Sequence, residues 1–209
     1  IKLNSLTDNQ CIMSKWDSGH NKREWALLFE DSPKQLALQL ADPTRTNYMQ
    51  KRVLASSYPE ISTSKWLHIV TTYDGPNDPS GINIYLNGKL CTGDVTLQEV
   101  GTFAGMTSNN AHFAIGNIFS NADESGSFRL RADLAEIAIW SKVLSESNIK
   151  ALARAPYSKK SGVSSNPARI ILRDDDNTPG KYPTIARTGL QNTVGKLSRP
   201  FDDTKSLNF

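Results

Sequence analysis

Gly81 to Cys91 reads GINIYLNGKLC, and this stretch decides the class of fold. Ile82, Ile84 and Leu86 fall on one side of an extended chain, with Asn83, Tyr85 and Asn87 on the other. A period of two marks a half-buried strand. Asn87-Gly88 follows at once, and both residues tolerate positive φ, so the pair predicts a tight hairpin into 89–92. Upstream the same alternation recurs. Leu67, Ile69 and Thr71 alternate with His68, Val70 and Thr72, and Leu36, Leu38 and Leu40 with Gln35, Ala37 and Gln39. The turn-rich Asp74-Gly75-Pro76-Asn77-Asp78-Pro79 separates one strand from the next. Strands are predicted over 9–15, 24–30, 34–41, 52–56, 65–73, 81–87, 89–92, 112–117 and 128–140.

The last of these changes phase. Leu130, Ala132 and Leu134 share one face, Ile137 and Ile139 the next, and the slip at Ala135-Glu136 predicts a bulge. One short helix is predicted over Ser145–Arg154, with Ser145 as N-cap, Glu146 near the positive helix end, and Pro156 as the stop. Many strands and a single late helix predict an all-β fold, a two-sheet antiparallel jelly-roll sandwich.

The chain has 209 residues, enough for one sizeable core and a tail. Its net charge of +3 is spread without a basic stripe, which speaks against nucleic-acid binding. No apolar run approaches the roughly 18 residues that span a bilayer, so no membrane insertion is expected. Cys11 and Cys91 could form one bridge, but the preferred reading is two free, buried thiols acting as small apolar residues. The chain opens inside an extended run and without Met, and the expectation is that N-terminal strands of the native protein precede it. Domain organisation reads as a sandwich over 1–156 and an extended arm or small appendage over 157–209. The arm is rich in Ser, Thr, Asn, Asp, Gly and Pro, and only Ile170-Ile171-Leu172 looks strand-like.

Chemistry is sparse. A glycosidase needs two carboxylates about 5–10 Å apart across the scissile bond. Glu24, Glu30, Glu60, Glu99, Glu124, Glu136 and Glu146 are well spread, so no enzyme is expected. The three histidines, His20, His68 and His112, lie near no Gly-x-Ser-x-Gly elbow. No Cys/His set has zinc spacing, and no glycine-rich phosphate loop is present. Asp174-Asp175-Asp176-Asn177 lacks the alternating spacing of a calcium loop and reads as a solvated turn. No cofactor is expected, and the calcium candidates retained are Asp17, beside Asn21 in a loop, and Asp74. Glycan binding takes an aromatic platform with amide or carboxylate partners. Trp16, Asn47, Tyr48, Tyr58 and Asn77 are the loop-type residues that supply such groups.

Five segments occur in order: CIMSKWDSGHNKREWALLFED, WLHIVTTYDG, INIYLNGKL, FAIGN and LAEIAIWSKVLSESNIKALA. Over about 1–155 this series resembles the laminin-G-like, concanavalin A-like jelly-roll family in its bacterial and viral form. The resemblance implies neighbouring strands on either side of the loop after Trp16. Trp25 is then expected in the core, and Trp16 at the loop mouth, packing in preference to facing a ligand. Two features depart from the pattern. The family's opening strands are not seen, and Ala135 stands where members often carry Asp before the Glu of the last long strand, which weakens transfer of a calcium ligand. The expected function is a non-enzymatic structural or decoration protein of a virion, that of a bacteriophage. Residues 157–209 would dock on other virion subunits in an oligomeric assembly, and the sandwich would be free to meet a host-surface glycan. The alternative is a secreted carbohydrate-binding module of a bacterial surface protein, located outside the cell.

Overall fold

The computed structural model describes residues 1–75, 77–119, 126–154, 169–173 and 184–186. The chain forms two compact units, Ile1–Asp133 and Leu134–Phe209. The first holds β1 (Lys2–Leu3), β2 (Gln10–Asp17), β3 (Lys22–Glu30), β4 (Gln35–Ala41), β5 (Tyr48–Leu54), β6 (Ile69–Tyr73), β7 (Ile82–Leu86), β8 (Lys89–Leu90), β9 (Val95–Val100), β10 (Phe113–Ile115), β11 (Ile118–Phe119), β12 (Gly126–Ser127) and β13 (Ala132–Asp133). The large sheet runs β12-β11-β2-β3-β4-β5-β9, with β10 also on β2. A second sheet runs β6-β7-β8, and β1 pairs with β13. This is the predicted sandwich of mostly antiparallel sheets.

The inner face of the large sheet follows from its register. Trp25, Leu27 and Phe29 lie opposite Leu40, Leu38 and Leu36. Those three lie opposite Met49, Lys51 and Val53. Lys51 Nζ donates to the Ile82 carbonyl at 2.7 Å, so this face looks onto β7. Phe29, Leu36, Met49, Val53, Ile82, Ile84 and Leu86 are fully or almost fully buried. Each such side chain contributes about 1.5–3 kcal/mol by leaving water. The Asn87-Gly88 turn forms as expected, with φ of 50° and 79°. It pairs Tyr85 with Leu90 and Leu86 with Lys89.

The second unit holds β14 (Ile137–Trp140), α1 (Glu146–Arg154), β15 (Arg169–Arg173) and β16 (Thr184–Ala186). Ser145 Oγ accepts from the Asn148 amide at 3.3 Å, the expected N-cap bond. β15 carries the strand-like Ile170-Ile171-Leu172 run and pairs in parallel with β14, while β16 adds antiparallel to β15. The Asp174–Asn177 run and the rest of 157–209 lie outside the described residues.

Several expectations need correction. The strand expected over 52–56 is β5, which starts at Tyr48. β9 was not expected at all. It is the edge of its sheet, and Thr96, Leu97 and Glu99 are exposed, so its pattern lacks a buried stripe. The single strand over 128–140 is two short ones, because Glu136 takes φ of 54° and ends the extended run where a bulge was expected. β4 was read as half-buried, yet all seven of its residues are buried. Trp16 packs, as preferred, and is deeply buried, whereas Trp25 is less buried than expected. Trp16 is 5% exposed in a cluster with Cys11, Ala26, Leu28, Ala37, Ala41 and Ile118. Trp25 is only half-buried, its ring 5.9 Å from that of Phe113. A shift of register between Lys15 and Trp16 redirects the side chains at the end of β2. Cys11 and Cys91 are free and buried, and burial pushes their thiols up to about 12 and about 11.

Candidate functional site

Strand alternation sets Gln50 and Arg52 on the side of β5 opposite Lys51, the outer face of the large sheet. Gln39, Gln50 and Gln98 are direct register partners across β4, β5 and β9. Their amides meet in a row, Gln39 with Gln50 at 3.0 Å and Gln50 with Gln98. An arginine closes each end. Arg45 Nε donates to Gln39 Oε1 at 3.2 Å, and Arg52 Nη1 to Gln98 Oε1 at 2.6 Å. Arg52 Nε also donates to Glu30 Oε2 at 3.0 Å, and Gln35 donates to the same oxygen. Gln39 and Gln50 are buried, whereas Glu30, Tyr48, Arg52 and Gln98 reach solvent in part and Arg45 is exposed. Buried amides satisfied along a row fix the groups at its ends.

Two loops frame one end of this face. The β4–β5 turn is organised by the Asp42 carboxylate, which accepts from Thr44 Oγ1, the Thr46 amide, and the Asn47 amide and Nδ2 at 2.8–3.0 Å. Burial alone would raise the Asp42 carboxyl. The bonds from Asn47, Thr44 and Thr46 outweigh it and hold the group below the usual carboxylate range. The turn forces Arg45 to φ of 60° and lays its guanidinium 5.0 Å from the Tyr48 ring. In the β2–β3 connection, Arg23 lies 5.8 Å from the Trp16 ring. Its Nη1 donates to Asn21 Oδ1 and the Pro43 carbonyl, and its Nη2 to the Ser18 carbonyl.

The residues singled out in the sequence take different places. Trp16 and Tyr48 come together, since Tyr48 packs on the cluster that holds Trp16. Asn47 belongs to the turn, with its Oδ1 accepting the Thr102 amide at 3.0 Å. A Cβ on Gly101, at φ of 67°, would lie only 2.1 Å from that oxygen. Tyr58 joins Gly93 instead, donating to its carbonyl at 2.6 Å and accepting from its amide at 2.9 Å. Asn77 and Asp74 are exposed in the β6–β7 connection, and no described contact joins them to the outer face. Asp17 is tied to His20, whose Nδ1 lies 2.7 Å from Oδ2. Its burial opposes ionisation, but the bonds from His20 and Gly19 prevail and hold the carboxyl low. Among the described residues no group of three or more His, Cys, Asp or Glu is placed to hold a metal ion. The Asp17–His20 pair also resembles two members of a serine triad, but Ser18 Oγ is turned to the Phe119 carbonyl.

Residues 1–150 match the family model described as the concanavalin A-like lectin/glucanases superfamily. The chain belongs to this superfamily. No curated protein and no solved structure matches it. A concanavalin A-like sandwich thus presents a glutamine and arginine row that the sequence did not disclose. Gln39 fell on the polar half of an alternating strand, and Gln98 lay in a strand that was not expected. Trp66 was also passed over. It is 50% exposed, with Lys2 Nζ 5.8 Å from its ring.

Proposed function

We propose that this chain is a non-enzymatic glycan-binding module whose binding surface is the outer face of the large sheet. The observation that carries the reading is the amide row Gln39-Gln50-Gln98. It holds Arg45 beside an aromatic ring, Tyr48, and Arg52 at the other end of the row. Sugars are recognised by planar amides, guanidinium groups and carboxylates set next to an aromatic plane, and a rigid mounting limits the entropy lost on binding. Membership of a superfamily of lectins and glucanases supports the reading. The non-enzymatic part rests on the carboxylates. Glu30 is the acid in the row and is engaged by Arg52 and Gln35, while Glu24 is committed to Lys15 at 2.8 Å. Titration against a panel of oligosaccharides tests the reading. Binding that weakens about tenfold or more in Tyr48→Ala and Gln98→Ala supports it. Absence of affinity for any member, or turnover of a member, overturns it.

A second reading places the chain in a bacteriophage particle, as a structural or decoration protein. It draws on residues 157–209, where Ile170, Leu172 and Ile185 lie on β15 and β16 and Leu190, Val194, Leu197, Phe201 and Phe209 are widely spaced in polar sequence. Such a segment suits docking on neighbouring subunits, with the sandwich left exposed to host glycans. Co-sedimentation of the native protein with particles supports this reading, and recovery solely as a free monomer contradicts it.

A further inference from the structure

We propose that the site takes acidic glycans, and that Arg45 is the specificity residue that receives their carboxylate. The inference rests on the glycan-binding reading above and names the ligand class. Three observations carry it.

The first is the state of the Arg45 guanidinium. Its Nε is held by Gln39 and its plane lies against Tyr48. Among the described residues, its two terminal nitrogens have no hydrogen-bond partner, and the residue is exposed. A guanidinium fixed at Nε offers its Nη pair as a fork that matches a carboxylate. The second is the backbone. Arg45 sits at φ of 60°, a conformation unfavourable for a residue with a Cβ. Four bonds to the Asp42 carboxylate hold the turn in place around it. Strain kept in this way fixes where the side chain points.

The third is the local charge. Arg23 reaches into the turn that carries Arg45, where its Nη1 donates to the Pro43 carbonyl at 2.8 Å. Burial first, and the charge of Arg45 second, make Arg23 easier to deprotonate than an ordinary arginine, against the opposing charges of Asp17 and Asp42. The hydrogen bonds of Arg23 go to three neutral oxygens, and its Nε is buried without a partner. Neither arginine forms an ion pair among the described residues. The nearby acids are engaged elsewhere, Asp17 with His20 and Asp42 with its own turn. Asp17 and Asp42 act on Arg23 without pairing with it, and an incoming carboxylate would supply a directly paired counter-charge at the point where the fork of Arg45 is open.

The test uses the full chain and immobilised matched pairs, each uronate- or sialate-bearing glycan beside its neutral counterpart. The expected result is binding about tenfold or more stronger to the acidic member, weakening as salt is raised. In Arg45→Gly the acidic-to-neutral ratio is expected to fall to about one. Glycine accepts the positive φ, so this variant keeps the turn, and an unchanged melting profile confirms that it folds. Equal binding of both members by the parent chain, or an unchanged ratio in Arg45→Gly, overturns the inference and leaves the glycan reading standing. Absence of binding to every member overturns both.

Discussion

The two faces of the large sheet are made from the same strands by different chemistry. On the inner face Phe29, Leu36, Met49 and Val53 are buried, and so are Ile82, Ile84 and Leu86 of the second sheet, onto which this face looks. On the outer face the alternate residues of β4, β5 and β9 are Gln39, Gln50 and Gln98, joined to arginines at both ends. Both faces bury side chains, but the inner face does so mainly with large apolar groups, whereas the outer face combines an apolar cluster around Trp16, Ala26, Leu28, Ala37 and Ala41 with the paired polar atoms of the glutamine row. An apolar contact is non-directional, whereas an amide row fixes the orientation of whatever it holds. On the proposed reading the glutamine row is the part of the outer face that positions groups for a ligand, while the inner face contributes stability alone.

Substitutions separate the two roles. Phe29→Ala should cost the most, about 3–5 kcal/mol in urea unfolding, because it empties a fully buried site. A loss below about 1 kcal/mol would show that the inner face is not the core. Glu24→Ala should come close, about 3–5 kcal/mol, since Lys15 and Glu24 pair at 2.8 Å with side chains only 6% and 9% exposed. The double variant Lys15→Met/Glu24→Leu should recover most of that loss. A double variant as unstable as the single one would argue against an uncompensated charge as the cause.

On the outer face Gln50→Ala should cost less, about 1–3 kcal/mol, the penalty for leaving the amides of Gln39 and Gln98 without their partner. It should weaken glycan binding at the same time, which Phe29→Ala at folding temperatures should not. Calorimetry on both variants makes the comparison. The smallest effect is a pH dependence. The Asp42 carboxyl is depressed on folding, so its contribution is complete above its unfolded value of about 3.9 and is lost as pH falls through the folded value. In Asp42→Asn, melting temperature should fall less steeply between about pH 4 and 2 than in the parent. Parallel curves would remove Asp42 from the account.

The sequence and the structure agree where periodicity is one-sided. β7, its Asn87-Gly88 turn, β3 and the helix at Ser145 were legible because one stripe of each is apolar or one turn residue is decisive. The outer face was not legible. Gln39 and Gln50 occupy the polar phase of their strands, and a buried amide has the same letter as a solvated one. β9 shows why a site can be missed even when its sheet is recognised. An edge strand reads as loop, and with it Gln98 lost its place beside Gln50. The end of β2 shows the limit of alternation itself, because the irregularity between Lys15 and Trp16 changes the side on which Trp16 and Asp17 fall. Arg45 was hidden for a further reason, since only the backbone reveals that its turn holds it at positive φ over Tyr48.

The central claim is that ligands meet the outer face of the large sheet. The most direct measurement is the footprint of a bound oligosaccharide on the full chain, read from backbone amide and arginine side-chain NMR shifts during titration. The account predicts saturable shifts at Arg45, Tyr48, Arg52 and Gln98, with Ile82 and Ile84 unmoved. Shifts confined to Tyr58, Asn77 or Trp66, with the glutamine row silent, would contradict it.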